Sequence, residues 1–335
     1  MERRITSYTG CLLGLAAGDG LGQGPERING YLPVSAYTQM AAYGCNGLLL
    51  GLTRGQMSGT MAPPVRYIAQ ALEEWAARQR WREGVVRCWI SRSDRMDYRR
   101  CPEPEVLDVL TDGMTGTMED PVSTLSGAGA LMVAVAVGLF FDPERLPRRE
   151  IQRMGAEAAA LTHGDPEAFL SGAALAHLIS RIVWDGQTDG EKLVKETAAM
   201  LKKRFGREYR QARTVSDRLR AALEKAKTGA EMTAPAGTAC DCLSGAVYGW
   251  LTCPADILTA LEKAALRSSG EAAVLGALLG AAQGTQMLPE ELLDGIECAQ
   301  VLQELAEDMF RGCPMMKGSR IFDIEWDEKY NTAQL

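Results

Sequence analysis

The side chains able to do chemistry sit in two glycine-rich stretches near opposite ends of the 335-residue chain. In the first, Gly10-Cys-Leu-Leu-Gly14-Leu-Ala-Ala-Gly18-Asp19-Gly-Leu-Gly22 is followed by Glu26 and then by Ser35-Ala36-Tyr37-Thr38-Gln39-Met40. In the second, Arg267-Ser268-Ser269-Gly270-Glu271 leads into Val274-Leu-Gly276-Ala-Leu-Leu-Gly280-Ala-Ala-Gln-Gly284. Glu26 is a carboxylate in a loop after a helix. Such a group either activates water and stabilises an oxocarbenium-like centre without a metal, or is an ordinary solvated residue. Asp19, the acid of a Gly-Asp-x-x-Gly turn, reads as an acceptor for backbone amides that fixes the turn. His163, at a helix start, reads as a turn-stabilising imidazole or, alternatively, a base. Arg267 is a permanent cation. It either faces solvent or finds an anion, with Glu26, Asp19 and Glu271 as internal partners and a ligand phosphate or carboxylate as an external one.

The elements that position these residues are helices. Segments 62–79, 147–161, 166–183, 190–203, 209–227, 255–266 and 288–307 carry apolar residues at three- and four-residue spacing, and few stretches alternate as a half-buried strand would. Asp142-Pro143 and Leu146-Pro147 close one helix and open another. Asp165-Pro166 reads as an N-cap with proline at the first helical position, and Cys253-Pro254 repeats that arrangement. Residues 91–104 and 228–238 read as loops. Glycines 10, 14 and 18 share one helix face, as do 276, 280 and 284. Glycine inside a helix costs about 1 kcal/mol relative to alanine, so two such ladders imply close helix–helix approach.

Composition narrows the partners. A net charge of −7 argues against a nucleic-acid surface, and Lys202-Lys-Arg-Phe-Gly-Arg207 reads as a solvated helix end. The longest apolar run, 127–141, is shorter than the ~20 residues that cross a bilayer, so no membrane partner is expected and the run reads as a buried central helix. The start Met-Glu-Arg-Arg is charged and leads into a helix with polar residues, unlike a cleavable signal. The expected location is cytoplasmic. Nine cysteines are scattered, only two histidines accompany them, and Cys240-Asp-Cys242 has the wrong spacing for a zinc knuckle. Cys45, Cys88, Cys240 and Cys242 suit small buried thiols.

The order and spacing of these motifs resemble the ADP-ribosylglycohydrolase family, which includes the dinitrogen reductase-activating glycohydrolases. Its members typically read GxxxGxxxGDxxG, then TDDTxM, then GGDTDT before a GAxxGA helix. Leu161-Thr-His163-Gly-Asp165-Pro166 also matches the family's LTHGDP turn, and Ser126-Gly127-Ala128-Gly129-Ala130-Leu-Met132-Val133 is similar to its GNGxxMR loop, with Ala128 and Val133 in place of Asn and Arg. The resemblance implies an all-α fold, a single compact orthogonal multi-helix domain over residues 1–335, with residues 35–40 and 267–271 brought together at a cleft. It also implies a dinuclear magnesium site, but this chain has Ala36 and Tyr37 where the family has its paired aspartates, and Arg267 and Ser269 where the second motif has two more. Ser35 and Gly270 stand at the family's hydroxyl ligands. Magnesium is a hard cation held by carboxylate oxygens, so no metal and no cofactor is expected. The ligand-binding set implied is Asp19, Tyr37, Thr38, Gly127, Gly129, His163, Arg267 and Ser269, with Glu26 the catalytic candidate. The expected function is a catalytically degenerate relative that binds a small nucleotide-like or anionic ligand, or a protein partner, in the cleft. The alternative is a divergent hydrolase of ADP-ribosyl or related N-glycosidic bonds using Glu26.

Overall fold

The computed structural model describes residues 5–331 apart from 25, 83, 101, 234, 235, 254 and 255. Pro254 and residues 1–4 lie outside the described residues; Cys253, read as a helix N-cap, instead ends the helix Ala239–Thr252, and the next helix, from Ile257, is capped by Asp256, whose carboxylate accepts from Thr259 N. The chain begins with α1 (Ile5–Gln23), α2 (Ala36–Ser58), α3 (Pro64–Gln79), α4 (Pro104–Thr111) and α5 (Gly129–Phe140). It continues with α6 (Arg148–Ala160), α7 (Pro166–Asp185), α8 (Gly190–Phe205), α9 (Gln211–Thr228) and α10 (Ala239–Thr252). It ends with α11 (Ile257–Ala265), α12 (Ser269–Gln283), α13 (Glu290–Gly295), α14 (Ala299–Arg311) and α15 (Ile324–Tyr330). Among the described residues no strand forms; two isolated bridges, Ile28 with Tyr31 and Leu32 with Ile296, are the sole β-pairing. No described helix is long and apolar enough to cross a membrane.

The centre is the pair α1 and α12. Their glycine ladders face each other in antiparallel register, so that a Cβ built on Gly276 would overlap the Gly14 carbonyl, and one on Gly280 the Gly10 carbonyl. Gly18 meets Ala272 in the same way. Backbones that touch exclude solvent, and both helices are buried around nearly their whole circumference. The second fully apolar element, α5, is buried from Gly129 to Leu139, as the 127–141 run required. α3, α6 and α14 show one apolar and one polar face, and with the other helices they surround these three in a continuous core.

Local chemistry sets several boundaries. The Ser35 hydroxyl accepts from Tyr37 N at 3.1 Å to start α2, and Gly59 ends it in the left-handed region at φ 81°. Asp165 accepts from Glu167 N and Ala168 N, with Pro166 in the first turn of α7, which is the arrangement read from the sequence. The single helix expected over 288–307 is instead broken into α13 and α14. Leu32 captures the backbone there, its N–H donating to Gly295 O at 2.6 Å and its carbonyl accepting from Glu297 N at 3.2 Å. Those groups are lost to the helical ladder. The expected Gly-Asp-x-x-Gly turn is likewise helical, because α1 runs on through Asp19 to Gln23.

The backbone contact between α1 and α12 yields a sharp expectation. Gly276→Ala has nowhere to place its methyl group except into the Gly14 carbonyl, and should lose at least about 3 kcal/mol in urea unfolding. Gly237→Ala, whose Cβ meets nothing within 4 Å, should stay within about 0.5 kcal/mol of the parent.

Candidate functional site

Because α1 and α12 are antiparallel, the end of α1 lies beside the start of α12. A Cβ on Gly22 would overlap Ser269, and Gly270 lies against Ala128 and the Tyr37 ring. Residues 35–40, 127–129 and 267–271 therefore meet, as the resemblance implied. Where they meet there is a recess of about 190 Å³, walled by Ser35, Ala36, Tyr37 and Met40 from α2 and its cap, Gly129, His163, Ser269, Gln23, and by Arg100, Pro102, Glu103 and Val106. Two larger hollows, of about 430 and 880 Å³, lie elsewhere, the first along α3 and α6 and the second beside α14.

Asp19 organises one wall. It is fully buried and accepts from Ser35 N at 2.8 Å, Ser35 Oγ at 2.6 Å, Thr38 N at 3.2 Å and Thr38 Oγ1 at 2.6 Å. Its carboxylate thereby caps α2, where negative charge meets the positive end of the helix. Burial nevertheless pushes its pKa up, against those hydrogen bonds. Thr38 is fully buried behind the wall, occupied by Asp19. Tyr37 faces the recess half-buried, and burial, followed by Cys242 and Glu103, raises its phenol, so it is a donor at neutral pH.

His163 lines the opposite wall. Its ring is wholly buried, Nδ1 lies 2.8 Å from Thr162 Oγ1, and Nε2 is buried without a partner. Burial lowers its pKa to about 4. The ring edge presses on Gly129, where an added Cβ would lie 2.8 Å from Cε1. Gly127 stands just behind, against the Glu103 carboxylate, outside the recess lining.

Two sequence candidates lie outside the recess. Glu26 is exposed and not among the lining residues. Arg267 turns away from the recess: its guanidinium makes a two-pronged ion pair with Glu271 and donates from Nη1 to Met232 O at 3.0 Å. Of the partners named for it, Glu271 is the one found. The Glu271 side chain is 1 % exposed, so Arg267 neutralises a buried carboxylate in the first turn of α12.

Arg100 and Glu103 carry charge into the recess and were not legible in the sequence, where 91–104 reads as a loop. Two buried glutamines place them. Gln39 Nε2 donates to Met96 O and Tyr98 O, and Gln79 Oε1 accepts from Arg100 N at 2.8 Å. Arg100 pairs with Glu297 at 2.5 Å, and its Nε is buried without a partner. Glu103 is exposed at the rim, its pKa raised by burial first and by Glu105 second. Among the described residues Glu103 is the only carboxylate in the lining. Among the described residues no three His, Cys, Asp or Glu side chains converge, and the eight described cysteines are free thiols.

An all-helical fold with a cleft between the ends of two glycine-laddered helices defines a class. A solved structure described as an ADP-ribosylglycohydrolase-related protein complex shares the fold, with a TM-score of 0.59 over 93 % of this chain and 99 % of that one, at 21 % identity. The ADP-ribosylglycohydrolase family model matches residues 1–318, and the chain belongs to that family. No curated protein matches it.

Two measurements check this geometry. Arg267→Met strands the buried Glu271 charge and should destabilise by roughly 3–5 kcal/mol in chemical unfolding, whereas Arg267→Met with Glu271→Leu should recover most of the loss. His163 has an ordinary pKa of 6.5, lowered to about 4 on folding. The unfolded chain therefore binds the extra proton between those values, and stability falls as pH drops from 6.5 to 4, by about 3 kcal/mol at most from this residue. The stability difference between parent and His163→Gln should shrink over that window.

Proposed function

We propose that this member of the family has a catalytically degenerate cleft, which binds a small nucleotide-like or anionic ligand, or a protein partner, without hydrolysing an ADP-ribosyl bond. The observation that carries this reading is the donor set. The four positions that hold aspartate in the resembling family are Ala36, Tyr37, Arg267 and Ser269; three of them line the recess, whose one carboxylate among the described residues is Glu103 at the rim. Hydroxyls do not replace carboxylates for a hard dication: Ser35 is committed to Asp19, and Tyr37 holds its proton. Such a set does not fit a dinuclear magnesium site.

Metal-free hydrolysis would need a carboxylate within hydrogen-bond reach of bound substrate or of one water. Glu26 lies in the exposed loop after α1, outside the recess lining. The recess itself is smaller than the roughly 300–1,000 Å³ of typical ligand pockets. It admits one group of a larger molecule, with the rest lying across the rim.

Release of ADP-ribose from an ADP-ribosylated protein should stay at background with and without magnesium, for the parent and for Glu26→Gln alike. Turnover that Glu26→Gln abolishes would establish the hydrolase instead. Millimolar magnesium should leave the parent melting temperature unchanged beyond general salt effects. The triple variant Ala36→Asp, Tyr37→Asp and Ser269→Asp keeps the Arg267–Glu271 pair and crowds carboxylates into the recess. It should gain a saturable, magnesium-dependent rise in melting temperature.

A further inference from the structure

We infer that the arginine-rich face at the end of α3 and along residues 81–100 binds single-stranded nucleic acid, with bases stacked on Trp81 and Tyr98 and phosphates against the arginines around them. This face lies outside the recess, although Arg100 borders both, and it stands independently of what the recess binds.

The first observation is the placement of Trp81. The chain leaves α2, α7 and α9 through glycines in the left-handed region, Gly59, Gly186 and Gly229, a conformation glycine adopts without a Cβ clash. It leaves α3 instead through Trp81, at φ 55°. There Trp81 N donates to Arg78 O at 3.1 Å and Arg82 N to Ala77 O at 2.9 Å. A bulky residue in that region is strained. Among the described residues the other non-glycine at positive φ is Asn29, and asparagine tolerates it. Burial does not offset the strain, because Trp81 remains 79 % exposed. A strained turn that holds an indole in water leaves a flat face for a ligand.

The second observation is charge. Residues 78–100 hold eight arginines against three acids. Arg78 is paired with Asp97, Arg80 with Asp108 and Arg100 with Glu297. Arg82, Arg95 and Arg99 are exposed and form no ion pair among the described residues. Arg99 lies 5.8 Å from the Trp81 ring centroid, Arg95 4.5 Å from that of Tyr31, and Arg100 5.1 Å from that of Tyr98, itself 52 % exposed. Gln79 joins the two stretches, its Nε2 donating to Tyr98 O at 3.2 Å and its Oε1 accepting from Arg100 N at 2.8 Å. Residues 98–100 therefore run beside the end of α3. Opposing acids are Asp94, exposed in the same stretch, and Glu73, half-buried in a hollow it shares with Arg82. The net charge of −7 sums every face of the molecule, whereas a polyanion responds to the face it touches. The expectation drawn from net charge gives way locally. Rings interleaved with guanidinium groups suit a strand in which bases and phosphates alternate. An acidic peptide would use the charge and leave the rings idle.

The test uses the full chain and a fluorescein-labelled oligothymidylate of about 12 nucleotides, within the site sizes of single-strand binders. Comparators are the same strand annealed to its complement and a labelled polyglutamate of equal charge, all followed by fluorescence anisotropy over a salt series. The single strand should bind saturably with a Kd of about 1–100 µM near physiological salt, and more weakly as salt rises. Trp81→Gly suits the left-handed turn, so its melting temperature should equal or exceed that of the parent, while lost stacking weakens binding at least about fivefold. Trp81→Phe keeps a ring and should retain most of the affinity. Arg82→Gln with Arg99→Gln should flatten the slope of log affinity against log salt by roughly 0.7 per arginine. The inference is overturned if the single strand does not bind, if Trp81→Gly binds it as the parent does, or if the slope is unchanged in the arginine double variant. It also fails if the duplex or polyglutamate binds as tightly. A clear fall in melting temperature for Trp81→Gly overturns it too, because the tryptophan would then serve the fold.

Discussion

Two helices can approach until their main chains touch only where neither carries a Cβ at the crossing. Gly10 and Gly14 against Gly280 and Gly276 meet that condition, and Gly18 extends the contact against the backbone of Ala272. The crossing fixes more than a packing distance. It sets the register in which the end of α1 reaches the start of α12, and so places Gly22 on Ser269 and Asp19 within reach of Ser35 and Thr38. Helix-interior glycine is unfavourable by about 1 kcal/mol per residue. The return is a core in which the elements bordering the recess are set by backbone shape and not by the repacking of side chains.

Charge at the recess follows a consistent scheme. Each deeply buried carboxylate has a dedicated partner: Asp19 has the amides and hydroxyls of Ser35 and Thr38, Glu271 has Arg267, and Glu297 has Arg100. An unpartnered charge in such surroundings would be costly. The groups left without partners are His163 Nε2 and Arg100 Nε.

Helical periodicity and the glycine ladders made the architecture legible, because both are consequences of spacing along a single element. The meeting of residues 35–40 with 267–271 was legible through the resemblance. The errors have physical causes. Arg267 and Glu271 stand four residues apart, the spacing at which side chains on a helical turn find each other, and this local pair displaced the longer-range partners considered for the arginine. Leu32 breaks the 288–307 helix through hydrogen bonds from a residue far away in sequence, which periodicity cannot register. Arg100 and Glu103 escaped notice for a similar reason, since Gln39 and Gln79 hold their loop by side-chain amides and leave no pattern in the loop itself.

The glycine crossing also has a temporal side. Gly14 and its partner Gly276 are separated by 262 positions (276 − 14), and ribosomes add about 5–20 residues per second. For roughly 13–50 seconds of synthesis, then, α1 exists without the surface that covers it. It is apolar on every side, with no charged residue before Asp19 from Ile5 onward, so a nascent chain of this protein exposes a sticky helix until its last quarter emerges. The contact that joins α1 to α12 is therefore one of high sequence separation, the kind that forms late and leaves apolar surface open in the meantime.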